Sequence, residues 1–221
     1  MKQKHTIKLM GKKVGMTTVF DDAGAIIPCT VISMEPNVVS QIKTQETDGY
    51  QALQLAYSKV EGKNIKKIEA KVKKGPFGHF KKANVEARKH VKESRVENVA
   101  EYSLGQELDV TFFEGSKFVD IQGRSKGKGY QGVMKKHGFS GGPGAHGSSF
   151  HRHAGSTGMR STPGRCFPGS PRASRMGGET KTVQSLPIIS INKEKNVIIV
   201  KGSVPGSHGS LIVLNKSIKK S

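Results

Sequence analysis

The chain has 221 residues, enough for one domain with a real hydrophobic core and an insertion. Its 37 Lys and Arg stand against 17 Asp and Glu, a formal charge of +20, far above the net charge of about 2 to 8 usual for a small domain, so the partner is polyanionic. Aliphatic runs such as Val197–Val200 are too short for a membrane span, "MKQKHTIKLMGKK" has no apolar signal stretch, and two distant cysteines, Cys29 and Cys166, exclude a disulfide framework and suit a reducing cytoplasm.

Short β-branched and aromatic runs predict strands from the start of the chain: "TIKLM", "MTTVF", "AIIPCTVISM", "NVVSQIKT" and "YQALQLAY". Turn chemistry separates them at Asp21–Gly24 and Thr47–Gly49. Leu53, Leu55 and Tyr57 alternate, which predicts a strand with one buried and one wet face. "KVKKGPFGH" then reads as a loop. From His79 to Glu93, Phe80, Ala83, Ala87 and Val91 recur at spacings of 3, 4 and 4, which predicts a basic helix with a narrow apolar stripe. The helical insertion is thus expected at about 75–94. Strands resume with "ELDVTFF", where Leu108, Val110 and Phe112 alternate, and with "KFVDIQ". After a long interruption come "VQSLPIISI", "NVIIVKG" and "SLIVLN", with a turn at Asn192–Asn196. Many short strands with polar turns and no repeat read as a closed barrel. The expected fold is therefore mainly β: a barrel-type globular domain, residues 1–122 plus 182–221, with a small helical insertion and a long extended basic loop at 123–181.

That loop is a different material. It holds 11 Lys and Arg against one acid, Glu179, and so carries half of the chain's surplus charge in about a quarter of its length. It has 15 of the 27 glycines and four of the nine prolines, and Val133 is its only Val, Leu or Ile. Such a segment cannot build its own core and takes its order from a partner. Glycine lets backbone N–H groups come close to phosphate, and Pro143, Pro163, Pro168 and Pro171 limit the entropy lost on ordering. Arg124, Arg152, Arg160, Arg165, Arg172 and Arg175 can grip phosphates with paired donors or stack on bases, and Lys126, Lys128, Lys135, Lys136 and Lys181 add point charge. His137, His151 and His153 suit stacking or donation to phosphate. A DNA reader would present a helix or ribbon to a groove. An acid-free Gly/Arg/His arm instead suits threading into folded RNA.

Enzyme motifs fail on their context. "GKGYQG" at Gly127–Gly132 fits G-x-G-x-x-G, follows a predicted strand and precedes a short helix expected at Gln131–His137. No acid lies between Asp120 and Glu179 to hold a ribose or Mg²⁺, so no nucleotide cofactor is expected. His146, His151, His153 and Cys166 lack the tight ligand pairs of a zinc site, and no metal is expected. No carboxylate adjoins the loop histidines to orient them, so no catalytic residue is assigned. A sequence-independent nucleic-acid chaperone and a nucleotide-dependent enzyme at Gly127–Gly132 stay open as other classes.

The ordered motifs "GKKVGMTTVF", "GHF", "SKGKGYQGVMKKHGF", "GSTGMRSTPGR", "RMGG", "TVQSL" and "VKGSVPGSHGS" run from end to end, and the chain resembles the bacterial ribosomal protein L3 family. The resemblance implies a barrel-type body on the outside of the large ribosomal subunit and an extension reaching through RNA toward the peptidyl transferase centre. It also implies direct binding to 23S-type rRNA, a part in early subunit assembly, neighbouring large-subunit proteins as partners, and no small-molecule substrate, membrane or catalytic role. On the same resemblance the tip lies within Gly155–Gly164: Gly158, Met159, Arg160, Ser161, Thr162, Pro163 and Gly164, with Met159–Ser161 nearest the centre. Ser161 stands where some relatives carry a methylated glutamine.

Overall fold

A computed structural model of the chain describes residues 7–62 and 65–220. The opening "MKQKHT", including the first residue of the predicted strand "TIKLM", lies outside the described residues. In chain order the elements are β1 (Leu9–Phe20), β2 (Ile26–Ser33), β3 (Asn37–Lys43), α1 (Gln45–Asp48), β4 (Ala52–Lys59), α2 (Ile65–Val72), α3 (Lys74–Lys82), β5 (Arg88–Arg95), β6 (Glu107–Leu108) and β7 (Phe118–Arg124). These are followed by β8 (Tyr130–Gln131), α4 (Val133–His137), β9 (Ser174–Arg175), β10 (Thr180–Asn192), β11 (Val197–Lys201) and β12 (Leu211–Lys216). By compactness the chain divides into a body, residues 1–124 with 180–221, and a second unit, residues 125–179.

In the body six strands close into a barrel in the order β1-β12-β7-β10-β11-β2. Every neighbouring pair is antiparallel. A second sheet, β5-β4-β3-β6, completes the β architecture. Hydrophobic side chains from both sheets form one core, with Leu9, Ile32, Ile121, Ile198, Ile212 and Leu214 from the barrel and Val39, Leu53, Leu55 and Tyr57 from the second sheet. Burial of the Tyr57 phenol pushes its pKa up to about 12.

Buried polar groups stitch the body where ladder bonds stop. Asn37 mimics a strand neighbour: its Oδ1 accepts the Met10 N–H at 2.9 Å and its Nδ2 donates to the Met10 carbonyl at 3.0 Å. Lys13 of "GKKVG" is buried, and its Nζ donates to the carbonyls of Val204 (2.9 Å) and Gly206 (3.2 Å), so one half of that motif binds the "VPG" turn. At the β10 irregularity between Val183 and Leu186, the buried Asp120 carboxylate accepts the Ser185 N–H at 2.7 Å and the Ile218 N–H at 3.3 Å. All three satisfy backbone groups that burial would otherwise leave without partners.

The helical insertion lies earlier in the chain than the apolar spacing predicted. Residues 74–82, which include the supposed loop "KGPFGH", form α3, and residues 88–93 of the supposed helix belong to β5. Two constraints explain the change. Asn84 adopts φ +52° just after α3, ending the helix, while Ala83 N–H and Val85 N–H close back on His79 and Phe80 carbonyls. β5 then pairs with β4 from Lys59↔Arg88 to Ala52↔Arg95, giving β4 its outer partner. Pro76 falls in the first turn of α3, where its missing N–H costs nothing. Phe80 is fully buried against Ala56 and Ala87, with Phe77 and Ile68 at the margin.

That packing also corrects the expectation of a wet face on β4. Ala52 and Ala56, on the opposite side from Leu53, Leu55 and Tyr57, are as buried as they are. "ELDVTFF" likewise departs from a strand after Leu108. Asp109 accepts the Thr111 N–H at 2.9 Å and caps a 3-10 turn over Val110–Phe113, which places Val110 and Phe113 on one buried face.

Phe80→Ala should therefore destabilise the body by about 3–5 kcal/mol, the usual cost of emptying a buried aromatic site. Val91→Lys, at a position 44% exposed, should change stability by no more than about 0.5 kcal/mol. Urea denaturation of both variants checks the strand assignment, because a helix stripe running through Val91 would make both costly.

Candidate RNA interface

The 125–179 unit is held together mainly by its backbone. Its two ends run side by side: Ser125 N–H donates to the Glu179 carbonyl (2.8 Å), Lys128 N–H to Met176 (2.9 Å) and Met176 N–H to Gly129 (2.9 Å). β8 and β9 extend this stem through Tyr130↔Arg175 and Gln131↔Ser174. The glycines of "GKGYQG" therefore serve a stem, and the Lys128 N–H is already committed to protein. At Gly177, with φ +72°, an added Cβ would overlap the Lys126 carbonyl, so only glycine fits where the two strands touch.

α4 sits against the returning chain. Gly132 precedes it and Gly138, at φ +74°, ends it with its N–H on the Met134 carbonyl. Lys136 Nζ donates to the Arg175 carbonyl (3.1 Å) and to Ser174 Oγ, His137 Nε2 donates to the Arg172 carbonyl (3.0 Å), and the Tyr130 hydroxyl donates to the Ala173 carbonyl (2.9 Å). Farther out, Gly142 N–H donates to the His151 carbonyl (3.2 Å) and His151 Nδ1 to the Pro143 carbonyl (3.0 Å). A Cβ on Gly142 would overlap the Phe150 carbonyl, so this crossing also needs glycine.

Val133 is the unit's single buried hydrophobic side chain among the described residues. Tyr130, Phe150, Met159 and Phe167 are exposed, Tyr130 at 75% and Met159 at 69%. Lys126, Lys128, Lys135, Arg152, Arg160, Arg165, Arg172 and Arg175 are exposed as well, and so are His151 and His153. Lys136 is half-buried, and with His137 it fastens α4 to the return strand, so these two position the unit. Arg124 and Lys181, counted in the loop by composition, are exposed residues on β7 and β10 of the body. In the tip, Gly158–Thr162 and Gly164 are exposed and Pro163 is half-buried.

The structure gathers groups that the sequence left scattered. Tyr130, Phe139, Arg152, His153 and Arg172 line a cleft of about 700 Å³ in this unit. Aromatic and imidazole faces beside two guanidinium groups offer stacking and phosphate contacts together. Tyr130 and Phe139 were missed as site residues because the only available signal, isolated aromatics in a glycine-rich run, gives no hint that they converge. Among the described residues no group of three or more His, Cys, Asp or Glu side chains is arranged to hold a metal ion, and no helix is long and apolar enough to cross a membrane.

Comparison with known proteins matches residues 40–197 to the family model "Ribosomal protein L3". The chain is 56% identical over 213 residues to the large ribosomal subunit protein uL3 of Protochlamydia amoebophila, covering 96% of this chain and 91% of that protein. It is 53% identical to the uL3 of Chlamydia felis over 216 residues, 97% of each chain, and 50% identical to that of Chlamydia pneumoniae over 213 residues, 96% of this chain and 97% of that protein. A family model spanning well over half of the residues, and relatives at this identity along nearly the whole length, lead to one conclusion: the chain belongs to the ribosomal protein L3 family.

Proposed function

We propose that residues 125–179 are the segment through which this structural protein of the large ribosomal subunit binds 23S-type rRNA. As a member of its family the chain is a component of the ribosome at work in translation, and not an enzyme. The observation that carries the proposal is the unit's make-up: nine Lys and Arg against Glu179 alone, with Val133 as its one buried hydrophobic side chain among the described residues. A fold held by a backbone stem, with cations and aromatics turned outward, gains its remaining stability from an anionic polymer that threads around it. Arg152, Arg160, Arg165, Arg172 and Arg175 are the principal phosphate-gripping groups. Lys126, Lys128, Lys135, His151 and His153 assist them from the same unit, and Arg124 and Lys181 from the adjoining strands. Binding along this arm assists early assembly of the subunit, where neighbouring ribosomal proteins are the other partners.

The tip, Gly158–Gly164, points to the peptidyl transferase centre in this reading. Support comes from the resemblance of "GSTGMRSTPG" and from the exposure of Met159 and Arg160. Ser161 has no side-chain amide, so the modification that some relatives carry on glutamine has no acceptor here.

Three outcomes test these statements. Arg152→Ala and Arg172→Ala should each lower the slope of log affinity against log salt by about 0.7–0.9 for every phosphate that the protein no longer neutralises; filter binding to a 23S-type rRNA measures this, and an unchanged slope would remove both residues from the interface. Deleting residues 141–178 should leave the melting temperature of the body nearly unchanged while large-subunit particles, followed on sucrose gradients, accumulate as incomplete precursors. Substituting Arg160 or Ser161 should leave assembly intact but change peptide-transfer rates or the response to drugs of the peptidyl transferase centre. Unaltered rates and responses across several substitutions would reject the tip assignment.

A further inference from the structure

β1 and β2 belong to the barrel along only part of their length. β1 pairs with β12 from Leu9 to Lys12 but continues beside β2 alone from Gly15 to Phe20. β2 pairs with β11 from Cys29 to Ser33, which leaves Ile26–Pro28 with β1 as its sole ladder partner. Beyond Pro28, whose carbonyl accepts the Gly202 N–H at 2.7 Å, the outer half of this hairpin is thus a two-stranded ribbon without a further ladder partner on either side, an arrangement that is marginal in water by itself. On the β2 side Pro28 withholds a donor from the edge. On the β1 side, residues 15–20 contain neither Lys nor Pro to discourage a partner.

One face of the ribbon is apolar and uncovered. Met16, Phe20, Ile26 and Pro28 share it with the hydroxyl-bearing Thr18, because Thr18↔Pro28 and Phe20↔Ile26 lie directly opposite and side chains two apart point the same way. Phe20 is 65% exposed and Ile26 64%. The connecting turn is firmly built: Asp21 Oδ1 accepts the N–H groups of Ala23 (3.1 Å) and Ala25 (2.7 Å), and Gly24 takes φ +78°. The turn directly follows the Phe20↔Ile26 pair and fixes where β1 reverses into β2.

Charge identifies the occupant. Residues 14–28 contain Asp21 and Asp22 and no Lys or Arg, in a chain of net charge +20. Phosphate would be repelled by the two carboxylates and would find no cation to grip. A basic protein surface would complement the acidic turn while covering Phe20 and Ile26. We infer that the hairpin of residues 14–28 is the docking element for a neighbouring basic protein, which covers the Met16, Phe20 and Ile26 face. The inference rests on the ribosomal reading above only for where that neighbour is found.

Photocrosslinking in purified large subunits tests this. Phe20→p-benzoylphenylalanine and, separately, Ile26→p-benzoylphenylalanine are expressed as full chains, and their presence in the subunits is established on gradients before irradiation. Both positions should yield an adduct to the same protein, identified by mass spectrometry and carrying net positive charge. Phe20→Ser/Ile26→Ser should reduce that protein's occupancy in subunits severalfold and leave the melting temperature of the free chain unchanged. An adduct to rRNA, to an acidic protein or to a second copy of this chain would overturn the inference. So would no adduct at either position, or a fall in melting temperature showing that these side chains pack within the chain itself. Absence of the unsubstituted chain from large subunits would count instead against the ribosomal function.

Discussion

Thr180 pairs with Arg124, and on this pairing the separation of the chain into body and arm depends. β7 leaves the barrel at the point where β10 enters it, and the two strands are hydrogen-bonded neighbours. The intervening 55 residues are therefore a connection whose ends are already held together. Loop-closure entropy rises only slowly with length, so a long excursion costs the barrel little more than a short one. Since β7 and β10 each have a second neighbour, β12 and β11, the excursion is not required to complete the sheet. The body can hold its core while the arm is shaped by other demands.

Those demands appear in how each part satisfies its backbone. In the body, ladder bonds are backed by apolar burial, and the gaps are filled by buried Asn37, Lys13 and Asp120. In the arm, the stem bonds, the α4 contacts through Lys136 and His137, and the Gly142 crossing carry the structure almost without apolar support. The guanidinium groups stay in water and keep their hydrogen-bonding capacity for a partner. An aliphatic core in the same segment would have drawn the chain into a globule and withdrawn those groups from reach.

Chain polarity also varies within the body. The barrel end of the β1–β2 hairpin is packed, and its outer end presents apolar side chains with two carboxylates and no cation. A chain of net charge +20 thus holds one segment whose only charges are negative. Under the two proposals above, this partition of surfaces by charge would let RNA and protein meet the chain at different places without competition between them.

Much of this was legible in the residues. Strand runs such as "NVIIVKG" and "SLIVLN" lie in β11 and β12, and a segment with one Val and no Leu or Ile cannot make a core in any environment, so composition alone separates it from the rest. The helical insertion was displaced because Phe80, Ala83, Ala87 and Val91 satisfy a helical period by spacing, while β4's need for an outer partner makes residues 88–95 a strand. Similarly, Ala56 looks indifferent in the sequence and is buried against Phe80 of α3, a helix that the apolar spacing announced but started at His79 and ran on to Glu93. Local composition determined which segments could build a core and which carry the surplus positive charge, since those depend on each side chain's own chemistry. Which face of β4 is covered, which lysines fasten and which stay outward, and how Tyr130 and Arg172 come to line one cleft were decided by tertiary structure alone, because each depends on pairing between residues far apart in the chain.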